Sequence, residues 1–123
     1  MTKRLMYLGL VVTLSVVGLI GTAIADSHEG TWTGEVIDLA CYVTQGAKGP
    51  DHAGCAKSCV KNGQPMGLLT DDGTLVLLAA DHKDGAPYEA LKDLAGEQAE
   101  VAGILDEKDG MKVVTVTGSK AAA

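Results

Sequence analysis

The stretch Asp51-His52-Ala53-Gly54-Cys55-Ala56-Lys57-Ser58-Cys59 constrains this chain more than any other. It sets a histidine and two cysteines at i, i+3 and i+7, and on a helix those side chains share one face. Pro50 before it, Asp51 as N-cap and Gly63 as a stop predict a short helix over about 50–62. The third cysteine, Cys41, comes earlier, at the end of a strand-like run. If the chain folds Cys41 back onto that helix, three sulfurs and one imidazole meet. That is a soft donor set, suited to Cu(I) or Zn(II).

The environment of those thiols depends on the first 25 residues. Lys3-Arg4, an apolar run from Leu5 to about Ile20, and Ala23-Ile24-Ala25 form a basic, an apolar and a small-residue region in turn. This is the pattern of a secretory signal peptide over 1–25, cut after Ala25. An uncleaved membrane anchor is the rival, and the small-residue exit favours cleavage. A periplasmic or secreted address without lasting membrane insertion is expected. Outside the cytosol thiols oxidise unless a metal protects them. Three is an odd number, so pairing within one chain leaves a thiol over.

Beyond the leader, 8 basic and 16 acidic residues leave a net charge of −8. Such a surface repels phosphate backbones. Trp32, Tyr42 and Tyr88 are too few aromatics for a stacking platform. Nucleic acid is excluded as a partner on both grounds, leaving a metal ion or another exported protein.

A flexible tail is expected over 26–30, then a first strand over Thr31 to Leu39, with Gly34 as a bend. After the helical insert, Gln64 to Thr70 is a second strand. Asp71-Asp72-Gly73 marks a tight turn, and the continuous apolar run Leu75 to Ala80 a third strand buried on both faces. His82 lies in a charged loop and is read as solvated. Pro87 to Ala95 turns helical and stops at Gly96, with Glu89 and Asp93 on a solvent face rather than paired for catalysis. Glu100 to Leu105 and Met111 to Thr117 are the last strands, joined at Lys108-Asp109-Gly110, and 119–123 is a disordered tail.

The order predicts a mainly β domain over 31–118. It is a five-stranded OB-like barrel with a helix between strands three and four and the Cys/His helix inserted between strands one and two. The segment Gly96-Glu97-Gln98-Ala99-Glu100-Val101-Ala102-Gly103, the Lys-Asp-Gly turn and Val113-Val114-Thr115-Val116 resemble the closing hairpin of small exported bacterial OB-fold proteins. The segment from Cys41 through His52, Cys55 and Cys59 to Pro65-Met66-Gly67-Leu68-Leu69 is similar to exported bacterial proteins with a cysteine-containing helical insert. The resemblance implies the fold and the address; no activity comes with it.

Three functions fit the cysteines. In the first, Cys41, His52, Cys55 and Cys59 hold copper, or zinc, with Met66 as a further soft neighbour. Four protein ligands close the shell and suit storage, transfer, sensing or structure rather than hydrolysis. In the second, a disulfide from Cys41 to Cys55 or Cys59 closes a loop of about 15 to 20 residues, worth roughly 3 kcal/mol, and the barrel is a binding module. In the third, Cys55 in the first helical turn is a redox thiol with His52 as base, although no Cys-x-x-Cys is present. No Ser/His/Asp arrangement, phosphate loop or heme-attachment motif occurs. A separate copper motif begins at the expected cut, where Asp26-Ser27-His28 would offer an amine, two amides and an imidazole in a square plane. The competing reading of that motif is an acidic tail with an incidental histidine.

Overall fold

Glycine turns and β-branched runs divide the described residues into five strands, and the strands roll into a closed barrel. The computed structural model describes residues 26–123; the leader expected over 1–25 lies outside the described residues. In order, the elements are β1 (His28–Asp38), α1 (Leu39–Gln45), a 3-10 turn (Pro50–His52), α2 (Ala53–Lys61), β2 (Met66–Thr70) and β3 (Leu75–Ala80). Then come α3 (Ala86–Leu91), a second 3-10 turn (Lys92–Leu94), β4 (Gln98–Lys108) and β5 (Met111–Ala121). Around the barrel the order is β1-β2-β3-β5-β4, and β1 pairs with β4 to close it. Neighbours are antiparallel except β3 and β5, which run parallel. Among the described residues no helix is long and apolar enough to cross a membrane.

Alternate residues of each strand point inward, as a pleated strand requires. Val36, Leu68, Val76, Leu78, Val101, Val114 and Val116 meet in one cluster, joined by Leu91 of α3 and by Ala56 and Val60 of α2. β3 therefore alternates: Val76 and Leu78 are buried, while Leu75, Leu77 and Ala79 are only half-buried. The expectation of burial on both faces is corrected, because the outer face of this barrel strand is only partly covered.

The barrel also corrects both tails. β1 starts at His28, opposite Leu105, so the flexible segment expected over 26–30 is largely strand. β5 runs on to Ala121, opposite Ala99, and Ala122 donates to the Gln98 carbonyl at 3.0 Å. Closure lengthens the ladders of β4 on both sides, and each added pair satisfies backbone groups that a tail would leave to water. Two glycines are fixed by close approach. A Cβ on Gly34 would sit 2.4 Å from the Leu69 carbonyl oxygen, and one on Gly103 would sit 2.2 Å from that of Thr115. The β4–β5 register shifts at Ala102/Gly103, an irregularity that bends the strand there.

Candidate metal centre

Asp38 ends β1 and begins α1. Its Oδ1 accepts from the amides of Ala40 at 3.0 Å and Cys41 at 3.3 Å, satisfying two donors that a helix start leaves orphaned. Gly46, at φ 68°, ends the helix by donating to the Tyr42 carbonyl at 2.8 Å. Cys41 thus lies in the first turn of a helix, not at a strand end as the Cys-Tyr-Val-Thr run suggests. The carboxylate cap outweighs the β preference of those residues, which spans only about 1 kcal/mol.

The second helix comes close to its predicted place. Asp51 is not its N-cap, however. It lies inside the 3-10 turn, where the His52 amide donates to the Gly49 carbonyl at 3.0 Å, and Glu35 accepts from the Gly49 amide. His52 takes the N-cap position of α2 without bonding the helix through its side chain. Gly63, at φ 99°, closes the far end, its amide donating to Val60 at 3.2 Å. Ala56 and Val60 form the buried stripe of α2. His52, Cys55 and Cys59 form the neighbouring stripe, with Cys55 exposed and the other two half-buried.

The two helices bring these groups together. Ligand atoms of Asp38, Cys41 and His52 all lie within 4.8 Å of one another, a candidate metal-binding group. Cys55 and Cys59 lie outside that group, although the Asp38 carboxylate and Cys55 both act on the Cys59 thiol. All three cysteines are free thiols. Met66, opposite Asp38 in the β1–β2 register, is fully buried in the core cluster; the structure uses it as packing.

Charge is unevenly satisfied in this cluster. Burial opposes ionisation of Asp38, which is 1% exposed, but the thiols of Cys41 and Cys59 and the amides of Cys41 and Ala40 together hold its carboxyl below the usual range. In return, Asp38 raises the Cys41 thiol and, with burial adding, lifts Cys59 to about 11. Near neutral pH these two thiols therefore keep their protons beside a carboxylate. Their approach is not a well-aligned hydrogen bond to Oδ2. Among the described residues, that buried oxygen and the buried Nε2 of His52 have no hydrogen-bond partner. Buried polar atoms are seldom left so, and each unmet group costs about 1–3 kcal/mol.

A cation with affinity for oxygen, nitrogen and sulfur would answer both orphaned atoms. Cys41 and Cys59 are poorly suited as redox nucleophiles, because reactive thiols need a lowered pKa and theirs are raised. Asp38 is the one group at this centre that the cysteine spacing does not reveal. The available signal is its position as a helix cap three residues before Cys41. No protein-family model, curated protein or solved structure matches the chain.

Proposed function

We propose that this is an exported, non-catalytic metal-binding protein that holds one thiophilic ion where α1 meets α2. Cys41, His52 and the Asp38 carboxylate are the core ligands, and Cys59 and Cys55 complete the shell. The observation that carries the reading is the pair of buried, unpartnered atoms, Asp38 Oδ2 and His52 Nε2, beside the thiol cluster. Copper as Cu(I) is the first choice, since three thiols and an imidazole are soft donors. The carboxylate of Asp38 supports Zn(II) as the second, because zinc accepts sulfur, nitrogen and oxygen together. The barrel order and the placement of α3 between β3 and β4 support an OB-type scaffold. The leader pattern of residues 1–25 supports export.

Native mass spectrometry of the non-reduced protein tests this. The expected result is one copper or zinc per chain, lost in Cys41→Ser and in His52→Ala while the barrel stays folded. A metal-free protein after loading with either ion overturns the reading. If that protein also shows the mass of a disulfide, the cysteines are a staple.

A further inference from the structure

The chain carries a second cluster of metal-seeking atoms, at the opposite end of β1. Asp26 and Ser27 are exposed and precede the strand, and His28 is its exposed first residue. Between His28 and Asp38 run ten residue steps of strand, roughly 33 Å. The two ends of β1 therefore cannot share an ion. The leader pattern places the cut immediately before Asp26, which turns Asp26-Ser27-His28 into a free amine, two amides and an imidazole in the third position.

We propose that the mature amino terminus is a Cu(II) site, formed by the Asp26 amine, the amide nitrogens of Ser27 and His28, and the His28 imidazole. Four nitrogens in a plane suit a divalent ion of square-planar preference, and not zinc. The site forms by loss to solvent of the two amide protons and of one proton from the terminal ammonium, and involves no change of oxidation state. The fold leaves it free to form. Asp26 and Ser27 belong to no strand, and only the terminal pair of the β1–β4 ladder, His28 with Leu105, is at stake. Among the described residues Ser27 is held by its hydroxyl, which donates to Asp106.

The structure supplies the reporter. Trp32 is the sole tryptophan of the chain, and four residues along a strand returns to the same face. Its ring centroid is 5.9 Å from that of His28. Cu(II) bound at His28 sits beside the fluorophore and quenches it. Asp38, at the thiol cluster, lies six residue steps along β1 from Trp32, roughly 20 Å.

The test uses protein exported with its own leader. Its intact mass is expected to start at Asp26; a chain starting elsewhere overturns the proposal. After alkylation of the thiols, with the fold checked by circular dichroism, one equivalent of Cu(II) is expected to quench Trp32, and Zn(II) is not. His28→Ala, and separately a glycine inserted between Ser27 and His28, are expected to abolish the quench. On unblocked protein, electron paramagnetic resonance is expected to show a four-nitrogen Cu(II) signal that His28→Ala removes. Quenching or a four-nitrogen signal that survives in His28→Ala overturns the site. The thiol centre is silent in the alkylated protein, so either site can fail without the other.

Discussion

Asp38 is asked to do two things at once. Its Oδ1 caps α1, while the carboxylate as a whole raises the thiols of Cys41 and Cys59. Asn at this position keeps the cap and loses the charge. Asp38→Asn is therefore expected to leave α1 formed yet make Cys41 and Cys59 alkylate faster at mildly alkaline pH, as measured by mass spectrometry over time. Unchanged rates would show that the carboxylate does not hold those protons. Asp38→Ala also removes the cap and is expected to cost a further ~1 kcal/mol in denaturant unfolding. The sign of the pH effect follows from the direction of the shift. Cys59 has a folded pKa of about 11, raised above 9.0, so its contribution to metal-free stability is complete below the ordinary thiol range. It is lost as pH rises through about 11. Denaturation midpoints of the metal-free protein should fall over that window, and less steeply in Cys59→Ser. A bound metal must displace the same protons, so metal affinity should rise with pH.

At the scale of elements, the centre depends on how α2 is seated. Gly96 decides this. It has φ 82°, and a Cβ there would lie 2.4 Å from the Ala53 Cα at the start of α2. Its amide donates to the Val36 carbonyl at 2.6 Å, and the Val36 amide donates to Glu97 at 3.0 Å. The same glycine thus ties β1 and admits the helix. Gly96→Ala is expected to destabilise by more than ~1 kcal/mol, since both its φ and the space beside it are wrong for a side chain. Because it pushes on the residue next to His52, it should also weaken metal retention. A chelator competition showing wild-type retention would separate α2 seating from the centre. The ion pairs Lys57–Glu97 and Lys61–Asp93 (2.5 Å) span the same junction but are largely exposed and screened by solvent, so they add little.

Several of these elements are legible in the sequence. The i, i+3, i+7 spacing of His52, Cys55 and Cys59 reports the helix face directly, and Leu75 to Ala80 is bounded by turn residues on both sides. The position of Cys41 is not legible from propensity. Cys-Tyr-Val-Thr prefers strand, and what overrules it is the single cap from Asp38. The role of Asp38 at the centre is hidden for a related reason, since it depends on a contact between two helices that local periodicity does not encode. The strand at Gly118-Ser119-Lys120-Ala121 is hidden too, because its composition is that of a tail and only pairing with β4 makes it ordered.

For the whole molecule, stability rests on one shared interior rather than on the helices. Leu68 is fully buried at its centre, and Leu68→Ala is expected to cost about 2–5 kcal/mol, read from the denaturant midpoint. A loss below 1 kcal/mol would mean that the interior is looser than its burial implies. The closing seam has a further consequence, in the order of events during synthesis. The first strand finds one neighbour in β2 but must wait for Gln98–Lys108 to find the other, and β3 must wait for Met111–Ala121. A nascent chain that ends before Gln98 leaves both unmatched, and one that ends before Met111 still leaves β3 so. Non-local pairings of this kind slow folding. Acquisition of the native state should therefore be late and abrupt, and a chain truncated before Met111 should fail to become protease-resistant.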